Sequence, residues 1–261
     1  MKKYIYIILT FLFAFCSCDS PKSELSELEV KTKKIKEDVV FTTADKIKIQ
    51  GTYYYNNLDL PKKQALVILI HQFMSDRSQW KDDFIDSLLA NKYKVITYDI
   101  RNHGESDKAV KNNEDILKAS GNAVLDLKAV FDWAKTRNGI DSTRICVIGT
   151  SIGASLGLYS KYELGSKTVI CISVGKGTFE AFTGISELKM GIIVKRVNSV
   201  LFICGDKDGT YPEDAKYIYT NFIDDPKELK YYNSEKHGKD LITTQNPEIN
   251  IIMLDWLKKY L

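Results

Sequence analysis

The sequence predicts an α/β fold: a mostly parallel sheet with helices on both faces and an antiparallel pair of strands at its N-terminal edge. Three observations carry this expectation. From residue 65 onward, short unbroken apolar runs alternate with segments of helical periodicity, the pattern of strands covered on both faces and the helices that cover them. Two strand-like segments before residue 56 are joined by a short turn, which pairs them antiparallel. The chain has 261 residues, 44% of them hydrophobic, enough for one large domain or two small ones with a sizeable core.

The elements follow in order. Residues 39–43 and 46–55 read as strands around an Ala44-Asp45 turn, the second alternating Ile47, Ile49 and Thr52 with polar residues. Residues 65–71 are a continuous apolar run and read as a buried parallel strand; 80–90 read as a helix and 94–100 as the next strand. Val124, Leu127, Val130, Phe131 and Ala134 recur at helical spacing and place a helix over 115–136, interrupted early by Gly121. Strand 144–149, helix 152–164 and strands 168–174 and 199–205 follow. Helix 212–222, strand 228–233 and a closing helix over 249–260 end the chain. Between 174 and 199 there is room only for a minimal lid, with short helices over 179–182 and 185–194 as candidates.

The N-terminal residues differ in kind. Lys2 and Lys3 precede an apolar run over 4–15, then Cys16, Ser17 and Cys18, the layout of a secretory signal. The run is too short to span a bilayer, which takes about 20 apolar residues. The small Ser17 before Cys18 resembles the lipobox of bacterial lipoproteins, with Phe15 where leucine is usual. That resemblance implies a signal peptide over 1–17 and lipidation at Cys18. A tether would then follow to residue 37, and a folded domain would occupy 38–261. The protein is then exported and membrane-anchored, at the periplasmic face or cell surface of a bacterium.

Removing residues 1–17 lowers the net charge from +3 to +1. With the lysines scattered, no basic stripe suggests a nucleic-acid partner. Cys146, Cys171 and Cys204 each sit in an apolar run and read as buried core thiols. No closely spaced Cys/His set suggests a metal.

Ligands of open α/β sheets bind beyond the carboxyl ends of the strands, and the chemistry-bearing residues fall there. Gly149-Thr150-Ser151-Ile152-Gly153 joins a strand to a helix, the context of a nucleophile elbow. An overlapping copy, Gly153-Ala154-Ser155-Leu156-Gly157, falls a helical turn later, where a small residue serves packing; position favours Ser151. A serine needs a base, and the base needs an orienting acid. Asp206 and Asp208 follow the strand ending at 205, and His237, the last of 3 histidines, follows the next strand. His71 and His103 read as loop organisers, and Asp99 and Arg101 as braces for the loop after their strand.

From about Asp38 to its end the chain is similar to the α/β hydrolases. Asp99-Ile100-Arg101-Asn102-His103-Gly104-Glu105-Ser106 resembles the family's Asp-x-Arg-Gly-x-Gly-x-Ser segment. Gly205–Pro212 resembles its acid loop and places the acid on Asp208, with Asp206 the runner-up. His71-Gln72-Phe73 occupies the place of the family's His-Gly-x oxyanion loop, so the resemblance implies oxyanion donors at the backbone N–H groups of Phe73 and Ile152. Gln72 replaces the usual glycine; a loop that needs a positive φ there must be rebuilt. The implied activity is hydrolysis of carboxylic esters or thioesters through a Ser151-Asp208-His237 triad and an acyl-enzyme, with no metal or organic cofactor. Phe73, Phe179, Phe182 and Tyr211 are candidates for an apolar substrate pocket or for core packing. The same residues suit an acyltransferase, which the sequence does not separate from a hydrolase. The same fold also suits a non-catalytic binding lipoprotein, against which the ordered Ser151, Asp208 and His237 argue.

Overall fold

The computed structural model describes residues 32–59, 62–110, 122–185 and 195–261. The signal segment, Cys18 and most of the expected tether lie outside these residues. So do 115–121 of the expected helix and 186–194 of the expected lid.

Strands β1 (Lys34–Thr42) and β2 (Lys48–Asn56) pair antiparallel, and β2 pairs antiparallel with β4 (Lys94–Tyr98). Strands β3 (Gln64–Ile70), β5 (Ile140–Thr150), β6 (Thr168–Ile172), β7 (Val200–Gly205) and β8 (Lys227–Tyr232) run parallel to β4. The sheet order is β1-β2-β4-β3-β5-β6-β7-β8. The helices are α1 (Asp82–Ala90), α2 (Ala123–Thr136), α3 (Ile152–Tyr159), α4 (Lys176–Thr183), α5 (Tyr211–Phe222), α6 (Gly238–Thr244) and α7 (Glu248–Tyr260). This is the α/β-hydrolase architecture, with its antiparallel edge where the sequence predicts one.

Side-chain alternation explains why the parallel strands read as unbroken apolar runs. Leu66, Ile68 and Ile70 of β3 pack with Leu127, Val130 and Phe131 of α2. Val67 and Leu69 face the other way, among Phe84 and Leu88 of α1 and Met253 and Trp256 of α7. In β7, Val200 and Phe202 meet Ala215, Ile218 and Phe222 of α5, while Leu201 and Ile203 lie on the α7 side. Full burial of each such side chain contributes roughly 1.5–3 kcal/mol, so both faces of the strand must be apolar. Cys146, Cys171 and Cys204 are free and buried, as expected of core thiols.

Several element ends shift by a few residues, as where β5 begins at Ile140 and α3 ends at Tyr159, and three differences go further. Strand β1 starts at Lys34, inside the stretch read as tether, because residues 34–38 pair with β2 from Asn56 to Thr52. Backbone pairing at an edge needs no apolar side chains, so the polar sequence conceals it. Helix α6 was not predicted; its seven residues bury only Gly238 and Leu241. Helix α4 is longer than the lid candidate over 179–182, and Phe179 packs against Tyr162 and Phe222, with ring centroids 6.2 and 5.5 Å away. Phe179 therefore belongs to the core rather than to a substrate pocket, as does buried Phe182.

Candidate active site

The carboxyl ends of β3, β5, β6, β7 and β8 assemble the site. Strand β5 turns directly into α3 at Ser151, whose φ of 53° and ψ of −115° mark a strained elbow. The turn is possible because Gly149 and Gly153 carry no side chains. A Cβ on Gly149 would sit 2.1 Å from the Gly153 carbonyl oxygen, and one on Gly153 would sit 2.6 Å from that of Ile70. The Ser151 N–H donates to the Ile172 carbonyl at 2.8 Å, fixing the elbow to β6. Ser151 is half-buried, whereas Ser155 is fully buried and shares a 2.6 Å hydroxyl hydrogen bond with Thr178 of α4. The two overlapping motifs thus have different settings: one presents a hydroxyl, the other ties two helices together.

Asp208 and His237 are brought together. His237 Nδ1 lies 2.9 Å from Asp208 Oδ2 and 3.1 Å from Oδ1; with the acid ionised, Nδ1 carries the proton and donates it. Asp208 is buried, while exposed Asp206 accepts the Ser234 N–H at 3.0 Å and closes the turn after β8. The Tyr211 ring lies 4.2 Å from that of His237, centroid to centroid. The histidine loop abuts the elbow: a Cβ on Gly238 would lie 3.4 Å from Thr150 Cβ.

Ser173 was not singled out from the sequence. It directly follows β6, is fully buried, and has a left-handed φ of 53°. Its hydroxyl donates to Asp208 Oδ2 at 2.7 Å and accepts the Gly238 N–H at 3.0 Å. Ser173 lies inside the apolar run read as strand 168–174, so inspection of the residues past each run, which finds Asp208, does not reach it.

The loop after β3 is held by histidines. His71 Nδ1 donates to the Gln72 carbonyl at 2.7 Å and Nε2 accepts the Ile100 N–H at 2.9 Å, which requires the neutral ring. His103 lies beside it; its Nε2 accepts the Met74 N–H at 3.2 Å and Nδ1 donates to the Arg101 carbonyl at 3.0 Å. Both organise loops, as expected. So do Asp99 and Arg101. Asp99 accepts the Arg77 and Glu105 N–H groups at 2.7 and 2.9 Å. Arg101 bridges Asp126 and Asp45. Gln72 does not take a positive φ; the left-handed residue of this loop is Met74, with φ 58°. The loop therefore accommodates a side chain at position 72 without strain there. Among the described residues, the Phe73 and Ile152 N–H groups have no hydrogen-bond acceptor. Ile152 opens α3, where the helix dipole favours negative charge.

Comparison with known proteins agrees with this architecture. A family model for the alpha/beta hydrolase fold matches residues 65–160, from β3 through α3. Two Escherichia coli proteins, described as uncharacterized 31.7 kDa proteins of the traX-finO intergenic region, are 31% identical over 91 residues. The match covers 35% of this chain and 30% of the length of those relatives. Among solved structures, an esterase of Pyrococcus furiosus superposes with a TM-score of 0.66 at 22% identity, covering 87% of this chain and 91% of that one. An acetyl xylan esterase from Paenibacillus sp. R4 gives 0.67 at 16%, covering 88% of each chain. Acetyl xylan esterase 1 from Thermoanaerobacterium sp. JW/SL YS485 gives 0.66 at 17%, covering 89% of each. Likeness at these identities establishes the α/β-hydrolase fold.

Proposed function

We propose that this chain is a serine hydrolase of carboxylic esters or thioesters, with Ser151 as nucleophile, His237 as general base and Asp208 as its orienting acid. The observation that carries the reading is the 2.9 Å contact between His237 Nδ1 and Asp208 Oδ2, on a loop that abuts the strained elbow of Ser151. In the first step His237 Nε2 takes the Ser151 proton as Oγ attacks the ester carbonyl. The oxyanion is held by the N–H groups of Phe73 and Ile152, each such donor being worth about 10²–10³-fold in rate. Collapse of the intermediate expels the alcohol, which takes the proton from His237. Water, activated by the same base, then releases the acid. Solved esterases among the structural neighbours are consistent with a small ester substrate.

The test uses the full chain with p-nitrophenyl esters and a fluorophosphonate probe. Ser151→Ala is expected to lose labelling and to lower kcat by about 10⁴-fold or more. A mutant labelled at the wild-type rate would refute the nucleophile assignment.

Export and anchoring through a lipid on Cys18 belong to the same proposal. They rest on Lys2 and Lys3, the apolar run over 4–15, and Ser17 before Cys18. Cys18→Ser should abolish metabolic fatty-acid labelling and move the protein from the membrane to the soluble fraction. Retained label in that variant excludes Cys18 as the site.

A further inference from the structure

Three loops that reach the site come from separate strands, and two glutamine side chains cross-link them. Gln79 Nε2 donates to Thr150 Oγ1 at 2.8 Å, on the residue before Ser151. Gln79 Oε1 accepts the Gln72 N–H at 3.1 Å, in the loop that carries Phe73. Gln72 Oε1 accepts the Lys239 N–H at 2.8 Å, two residues past His237. The elbow, the loop after β3 and the histidine loop are thus joined in one continuous line of hydrogen bonds.

We infer that Gln72 and Gln79 are positioning residues that set the spacing of nucleophile, oxyanion donor and base. This rests on the serine-hydrolase reading above. A glycine at position 72 has no side chain to make the last of these bonds. The histidine loop is shaped to receive the longer residue: Gly238 has a φ of 51°, and a Cβ there would lie 2.2 Å from Gln72 Oε1. Glutamine at 72 and the bare α-carbon at 238 therefore form a complementary pair. The second anchor of the same loop, the Gly238 N–H on Ser173, holds it from the acid side. Lys239 on Gln72 holds it from the oxyanion side, so the imidazole is fixed between the two groups it must serve. Misplacement of reacting groups by an ångström costs about 10²-fold in rate, which sets the scale of what such a relay can control.

The experiment compares Gln72→Met, Gln79→Met, the double variant and Gln72→Glu with the wild-type full chain. Methionine keeps the bulk and removes the polar atoms; glutamate keeps an oxygen for the Lys239 N–H. Three quantities are read: kcat and KM for a p-nitrophenyl ester, the second-order rate of fluorophosphonate labelling, and hydrogen exchange of the Lys239 amide. Each methionine variant is expected to lower kcat and labelling about 10- to 100-fold with KM little changed. The double variant should lose no more than the worse single one, because the bonds act as one unit. Exchange at Lys239 should accelerate in Gln72→Met, and Gln72→Glu should restore both protection and rate. Wild-type kcat and labelling in the methionine variants overturn the relay while leaving the nucleophile in place. A rate loss that follows melting temperature and is not recovered by glutamate overturns it too, since that is general destabilisation. If the wild type is neither labelled nor active on esters, the hydrolase reading falls and the relay falls with it.

Discussion

Ser173 holds a backbone conformation that favours glycine, and it is not glycine. The strain of a left-handed non-glycine residue is about 1–2 kcal/mol, and the hydroxyl offsets it. That hydroxyl donates to Asp208 and accepts from Gly238, so one side chain orients the acid and anchors the loop of His237. Ser173→Gly would relieve the strain and delete both bonds. A buried N–H or carboxylate oxygen left without its partner costs about 1–3 kcal/mol, and two such losses exceed the strain released. The variant is expected to be less stable by about 1–3 kcal/mol in urea unfolding, with kcat on p-nitrophenyl esters lower by about 10-fold or more. An undiminished kcat would show that the acid needs no such support. At this scale the sequence is informative only where spacing or order carries the signal. The elbow motif and chain order point to Ser151 and His237, the resemblance to the family's acid loop points to Asp208 over Asp206, and Asp208 and His237 do meet. Ser173 has no neighbours that mark it. Gln72 stood out only as a departure from a family glycine, and its partner Lys239 is 167 positions away, beyond any local pattern.

Among the elements, those buried on both faces were the most legible. Strands β3, β5, β6 and β7 declare themselves because a polar residue on either face would be stranded in a helix-covered core. Strand β1 was read short because an edge strand is satisfied by pairing on one side, and its first half is polar. Helix α6 escaped because it is a single short piece that buries only Gly238 and Leu241, too few for an amphipathic stripe to show in the sequence. In α4, Phe179 and Phe182 lie three residues apart on one helical face, a spacing that fits a lid or a core equally; the packing against Tyr162 and Phe222 settles Phe179. The Ser155–Thr178 hydroxyl bond then fastens α4 to α3, so the helix that follows β6 is tied to the one that begins at the elbow. Glycines at 149 and 153 carry the opposite lesson. Their role in close backbone approach follows from the motif itself, and the distances bear it out.

For the molecule as a whole, alternation of strands and helices predicts a parallel sheet but not the place of each strand in it. The order depends on how the chain crosses over, as when β4 comes to lie between β2 and β3. His71 sits at that junction, binding the end of β3 to the segment after β4 through the Ile100 N–H. Burial, and to a lesser degree the neighbouring His103, push its pKa down from 6.5 to about 4, against the opposing pull of the Gln72 carbonyl. The unfolded chain therefore binds a proton that the folded one refuses between pH 6.5 and about 4. Stability from this group is complete above pH 6.5 and is lost as the pH falls through that window, by about 3 kcal/mol in all. Asp126 works in the opposite sense: burial raises it to about 6 despite the Arg101 guanidinium, so acid favours its folded form over part of the same range. A wild-type pH curve sums the two, and only a difference isolates His71. His71→Gln keeps an acceptor for Ile100 and cannot titrate. Urea unfolding of both proteins from pH 7.5 to 4 should show the variant less stable at the upper end. The gap should then narrow by about 3 kcal/mol at pH 4, because acid removes from the wild type what the substitution has already removed from the variant. A gap that stays constant across the range would mean that the buried imidazole accepts its proton without cost, and that the Ile100 N–H bond, which requires the neutral ring, does not hold the junction.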